Sequence, residues 1–246
     1  MKIYELNVRT NKGTIQLKFS NLDSFVRIAG FQLGILFGVI EDAKTYCQII
    51  SKNLSIRWKE KEGLGLFDLN DNASILDIGS GVGLIDLVLY KYLQQPGKFY
   101  LIDKGSEEDS KKVIQWGVDH GFYNDWNVLY DLARHSEINI NYFELLQPDS
   151  PWPASLDLIM SSNSYLWHYP LETYWSRILP YATKGCALGF DILNRNEFDA
   201  QKYISEALSQ EAIKAPRAFP EFHWHTDNLV NISGSYGEIC CWNVQK

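Results

Sequence analysis

Apolar and polar residues alternate over residues 3 to 19, with Ile3, Leu6 and Val8 before Asn11-Lys12-Gly13 and Ile15, Leu17 and Phe19 after it. A period of two around a glycine-containing turn predicts an amino-terminal β-hairpin. The period then lengthens. Phe25, Ile28, Phe31, Ile35, Phe37 and Ile40 follow at helical spacing behind Asn21 or Asp23 as a cap, and a second helical stretch covers Ala43 to Trp58. Residues 1–70 thus read as a hairpin with a helical cap, which is either a lid on the substrate side or ordinary core packed against a sheet.

From residue 71 to 246 short apolar runs alternate with amphipathic segments. The runs are Ser74 to Ile78, Phe99 to Ile102, Ile138 to Phe143, Leu156 to Met160 and Cys186 to Ile192, with two later ones at Glu221 to His225 and Tyr236 to Val244. Helices are expected near Gly83 to Leu93, Glu107 to His120, Leu171 to Leu179 and Glu197 to Glu211. The long interval from Lys104 to Glu137 has room for one more, around Asn127 to Arg134. This alternation predicts an α/β fold with a doubly wound, mostly parallel sheet of seven strands. No internal repeat or low-complexity linker divides the chain.

The chemistry concentrates at Ser74-Ile75-Leu76-Asp77-Ile78-Gly79-Ser80-Gly81-Val82-Gly83-Leu84, an apolar strand, a glycine-rich turn and the start of a helix. Glycines admit positive φ and close backbone approach, and a helix amino terminus offers free N–H groups, so this arrangement suits a nucleoside cofactor. Asp103 ends the next strand, 24 residues after Gly79. A carboxylate there can accept from both ribose hydroxyls, or it caps a helix starting near Ser106-Glu107-Glu108.

With these residues in view, the stretch from Ser74 to about Ile192 resembles the class I S-adenosylmethionine (SAM)-dependent methyltransferase family, whose first motif Leu76 to Gly83 matches almost position by position. The resemblance implies the sheet of that family, SAM as cofactor, and transferase activity. It also implies that Asp77 orders the loop near the methionine amino group, that Gly79, Ser80, Gly81 and Gly83 shape the cofactor cradle, and that Asp103, with Lys104 beside it, holds the ribose. Asp157-Leu158-Ile159-Met160-Ser161-Ser162-Asn163 is similar to the fourth motif, which places Ser161, Ser162 and Asn163 between the methionine end and the acceptor. Members often carry an acid just after the third strand for the adenine amino group; Glu144 is this chain's candidate.

Composition narrows the acceptor. A formal charge of −7 argues against gripping phosphate backbones, so nucleic acid is not expected as partner and a small molecule is. The four cysteines, Cys47, Cys186, Cys240 and Cys241, form neither a C-x-x-C pair nor a zinc-like spacing. With no signal-like start and no apolar run of about 20 residues, a cytoplasmic protein without a membrane span is expected. The hairpin is either a dimer contact or a sheet extension, so a homodimer remains open.

On the acceptor side, His168 in Ser164-Tyr165-Leu166-Trp167-His168-Tyr169-Pro170 lies just past the fourth core strand, where a general base for a hydroxyl acceptor belongs; Tyr165 would orient that acceptor. The alternative is that both pack as ordinary loop aromatics. Trp152, Tyr174, Trp175 and Trp224 join this aromatic set, which suits a sugar or another ligand with apolar faces. His223-Trp224-His225 lacks further ligands, so no metal is expected. Glu60, Glu62, Glu107 and Glu108 read as solvated helix faces.

Two other functions fit the same architecture. A nicotinamide-dependent oxidoreductase would want G-x-G-x-x-G, but Leu84 occupies the final position. A non-catalytic, partner-binding subunit would have no physical need of a cofactor-shaped loop.

Overall fold

The computed structural model describes residues 1–26, 42–63, 65–103, 125–147, 149–162, 172–182, 184, 186–193 and 237–242. The hairpin forms as its alternation predicts: β1 (Tyr4–Thr10) pairs antiparallel with β2 (Gly13–Phe19), and Thr10 faces Gly13 across the two-residue turn. Leu6, Val8, Leu17 and Phe19 are fully buried on one face, while Glu5, Asn7 and Arg9 on the other are exposed.

Asn21 caps the short helix α1 (Leu22–Phe25), its side chain accepting from Ser24 N–H at 3.1 Å. The next helix, α2 (Ala43–Gly63), runs five residues beyond the expected end at Trp58. It is sewn to the hairpin by side chains that accept from main-chain N–H groups: Ser51 Oγ from Asn7 (2.9 Å), Ser55 Oγ from Arg9 (3.0 Å) and Glu62 from Asn11 (3.0 Å). Glu62 also accepts from Trp58 Nε1 at 3.1 Å, and Glu60 is half-buried. The reading of Glu62 as part of a solvated face is therefore corrected: the hairpin meets that side of α2 and leaves the Asn11 N–H to be satisfied.

The main sheet contains β3 (Ile75–Ile78), β4 (Phe99–Ile102), β5 (Phe143–Leu146), β6 (Leu158–Ser161), β7 (Ala187–Leu193) and β8 (Gly237–Trp242), in the order β5-β4-β3-β6-β7-β8. All pairings are parallel except β7 with β8. The helices α3 (Leu84–Tyr92), α4 (Trp126–His135) and α5 (Glu172–Ala182) complete the described elements. Side chains alternate between two cores. Ile75, Phe99, Leu101, Leu158 and Met160 join α3, α4 and the hairpin, whereas Leu76, Ile78, Ile102, Ile159 and Leu188 join Tyr174, Ile178 and Ala182 of α5. Helices on both faces of a mostly parallel sheet make the fold α/β and doubly wound.

Six strands of the sheet lie among the described residues. The run Glu221 to His225, the helices expected at Glu107 to His120 and Glu197 to Glu211, and the stretch Ile28 to Ile40 lie outside them. One boundary is corrected. The run Ile138 to Phe143 was expected to be a strand, yet Ile140–Tyr142 is a 3-10 turn and the strand begins at Phe143. Asn139 causes this, because its side chain accepts from Asn141 N–H at 3.1 Å and offers the backbone a local alternative to the ladder. The amino-terminal aromatics and aliphatics Phe25, Tyr46, Ile50, Leu54 and Trp58 pack as core, each at most 1% exposed.

Candidate functional site

Because the strands are parallel and in register, Ile78, Ile102, Leu146 and Ser161 end at one edge of the sheet. The chain leaves the central strand β3 toward β4 on one side, while β6 lies on the other, and such a switch point opens a crevice where open α/β sheets bind ligands. Into it projects the turn Gly79 to Gly83. Gly79, Gly81 and Gly83 all have left-handed φ (74°, 58° and 68°), and Gly83 is the N-cap of α3. At Gly83 a side chain would also meet Leu129 Cδ1 at 2.9 Å.

The loop is held from three directions. The Ile102 carbonyl accepts from Gly79 N–H (2.6 Å) and Ser80 N–H (3.2 Å), the Asp103 carboxylate accepts from Gly81 N–H (2.7 Å), and Ser161 Oγ donates to the Ile78 carbonyl (2.6 Å). Two hydroxyls at this edge, Ser80 Oγ and Ser162 Oγ, are buried with no hydrogen-bond partner among the described residues. Buried polar atoms without partners are costly, so at a crevice they mark positions that a bound molecule can satisfy.

Beneath the loop lies a carboxyl pair. Asp77 on β3 is 2% exposed and Asp86 in the first turn of α3 is fully buried. Burial, then the charge and hydrogen bonding of Asp86, push Asp77 well above the usual carboxylate range, and burial raises Asp86 to about 7. Two carboxylates have no donor between them, so a hydrogen bond that links the pair requires a proton on one of the two. Lys61, on the last turn of α2 and 2% exposed, opposes the rise at Asp77, whereas Asp103 adds to it.

The structure brings together Asp77, Gly79, Ser80, Gly81, Gly83, Asp103, Ser161 and Ser162. Glu144 does not join them. With the strand starting at Phe143, Glu144 is the second residue of β5, faces Tyr100, and stands two residues, roughly 7 Å, short of the site edge. It lines a surface hollow with Lys98, Tyr130 and Asn141. The residue that follows β5 at the site edge is Gln147. Lys104, Asn163, Tyr165, His168, Trp224 and the pair His223 and His225 lie outside the described residues.

Trp152, Tyr174 and Trp175 belong to the core beneath α5. Trp152 stacks with Tyr174 at 6.2 Å, and the Arg177 guanidinium sits 4.3 Å above its ring. Sequence reasoning missed Lys61 and Asp86. The first could have been found from the stripe Cys47, Ile50, Leu54, Trp58, Lys61, whose helical spacing puts the lysine on the buried face. Asp86 is hidden by its resemblance to an ordinary first-turn acid. Among the described residues no cluster of three or more potential metal ligands occurs, and no helix is long and apolar enough to cross a membrane.

No family model and no curated protein matches the chain. Solved structures similar to it include a candidate rRNA methylase from Clostridium thermocellum (10% identity, 76% of this chain and 96% of that one, TM-score 0.48). A SAM-dependent methyltransferase from Aquifex aeolicus (16%, 74% and 88%, TM-score 0.40) and precorrin-6y C5,15-methyltransferase from Geobacter metallireducens (10%, 73% and 85%, TM-score 0.45) are also similar.

Proposed function

We propose that this chain is a SAM-dependent methyltransferase that delivers a methyl group to the hydroxyl of a small molecule. The observation that carries the reading is the turn of three left-handed glycines at the switch point, closed by Asp103 on Gly81 N–H. The residues fit SAM: the glycines leave room for its backbone-like methionine end, Asp103 offers acceptor capacity to ribose hydroxyls, and Ser80 and Ser162 present hydroxyls that await partners. When bound, SAM supplies an electrophilic methyl carbon on a sulfonium.

The protein's contribution to such a transfer is alignment and exclusion of water, since displacement at a methyl carbon needs a collinear approach more than it needs a dedicated catalyst. Ser161 fixes the end of β6 against β3, so that Ser162 leaves the sheet beside the loop. His168 takes the acceptor's proton and Tyr165 orients the acceptor by hydrogen bonding. Gln147, the residue after β5, would offer its amide oxygen to the exocyclic amine of the adenine, the role expected of Glu144. An acidic chain of net charge −7 favours a neutral or cationic small acceptor over a nucleic acid.

Calorimetric titration with SAM, with NADH as comparator, tests the reading. A dissociation constant on the order of micromolar for SAM, about −8 kcal/mol, and no heat with NADH are expected. Binding of NADH in its place would establish the oxidoreductase alternative, and binding of neither would leave a partner-binding subunit. For the acceptor side, His168→Ala should keep SAM affinity and lose turnover.

A further inference from the structure

Lys61 is an anomaly that the cofactor reading does not use. A lysine 2% exposed, on the final turn of a helix from the amino-terminal segment, is rare because burying an ammonium costs several kcal/mol unless an anion faces it. The groups that act on the Asp77 carboxyl come from three elements: Lys61 from α2, Asp86 from α3, and Asp103 from the end of β4. Asp103 is itself an acid, so of these groups only Lys61 carries the opposite charge, one turn past Trp58, whose ring meets Tyr92 of α3 at 5.1 Å.

We propose that Lys61 is a positioning residue for the cofactor loop: from the buried face of the last turn of α2 it neutralises the negative charge of the Asp77–Asp86 pair and so holds the strand end from which Gly79 to Gly83 projects. Asp77 is two residues before Gly79 and Asp86 three after Gly83, so the pair spans both ends of the loop. With Lys61 in place, one proton and one negative charge on the pair make the cluster neutral above about pH 7. Without it, the same charge lies buried and unopposed, and the pair must either hold a second proton or open to water. Opening displaces the loop. The inference rests on the reading of this loop as the cofactor's.

The test compares wild type, Lys61→Met and Lys61→Met/Asp86→Asn at pH 6.0 and pH 8.5, reading the thermal midpoint of the ligand-free protein and SAM affinity by calorimetry. At pH 8.5 Lys61→Met should bind SAM about tenfold or more weakly, and at pH 6.0, where both carboxyls hold protons, within about threefold of wild type. Its thermal midpoint should fall further behind at pH 8.5 than at pH 6.0. The double variant, which removes one buried acid with the base, should recover to within about threefold at both pH values. A loss of equal size at both pH values, or none, overturns the proposal. If wild type itself binds no SAM, the cofactor reading fails, while the midpoints still decide the charge coupling. If Lys61→Met does not fold at pH 8.5, the double variant decides: recovery of folding supports the coupling, and failure overturns it.

Discussion

Asp103 has two duties in this reading, and they separate by substitution. Asp103→Asn keeps an oxygen to accept from Gly81 N–H, now at 2.7 Å, but turns the other carboxylate oxygen into an NH2 that cannot accept from a hydroxyl. Asp103→Ala removes both. A hydrogen bond to a charged group contributes about 1.5–3 kcal/mol. Asp103 is half-buried, so water competes for the orphaned Gly81 N–H and the lower figure applies. The alanine variant should therefore lose about 1.5 kcal/mol of stability, which is about 3–6 °C in a chain of this size, and the asparagine variant less than about 0.5 kcal/mol. On binding, loss of the ribose contacts should weaken SAM by roughly 10- to 100-fold in both variants, about 1.4–2.8 kcal/mol. Urea denaturation and calorimetry read the two effects independently. Wild-type affinity in Asp103→Asn would refute the ribose role and leave Asp103 as a loop clasp alone.

Gly83→Ala forces a left-handed residue at about 1–2 kcal/mol and sets a methyl 2.9 Å from Leu129 Cδ1, a side chain that yields, so a total of about 2–3 kcal/mol is expected by urea denaturation; a loss under about 0.5 kcal/mol would show that the turn does not require the glycine. Asp131 on α4 ties down the end of the hairpin by accepting from Ser20 N–H (2.7 Å), Ser20 Oγ (2.8 Å) and Asn21 N–H (3.1 Å). Burial acts to raise its pKa, but these bonds and nearby His135 outweigh it and hold the carboxyl below its ordinary value. A depressed folded-state value contributes stability above the unfolded value of about 3.9 and loses it as pH falls through the folded one, so Asp131→Asn should cost about 1 kcal/mol from pH 5 to 8, and the gap should close in acid once the folded carboxyl is protonated. A gap that persists in acid would assign the effect to packing.

Much of the fold was legible because its signals are local. The strand Phe99–Ile102 reads to the residue, since a run buried on both faces must be apolar throughout and ends where the chain meets water at Asp103. The hairpin reads equally well because its alternation and its Asn-Lys-Gly turn agree. At Ile138 to Phe143 local signals conflict. Ile138, Ile140 and Phe143 satisfy a strand's demand for apolar residues, but the interleaved Asn139 and Asn141 form an asparagine turn that the apolar count ignores.

That boundary error carried into the site, since an acid counted from a strand that starts too early lands inside the real strand, as Glu144 does, and the position at the edge falls to Gln147. The glycine loop escaped this because its geometry is set by its own residues: three positive φ angles need three glycines wherever the strand begins. Lys61, Asp77 and Asp86 are the opposite case. Each alone is ordinary, a lysine near a helix end, an acid before a glycine, an acid in a first turn. Their burial arises only when the end of α2 packs on α3, where Trp58 meets Tyr92, a contact between segments with no common period. The stripe through Trp58 to Lys61 told which face of α2 turns inward, but not that carboxyls wait beneath it. Charge in a core becomes intelligible only as a cluster, and its members are separated in this chain by 16 and 9 residues.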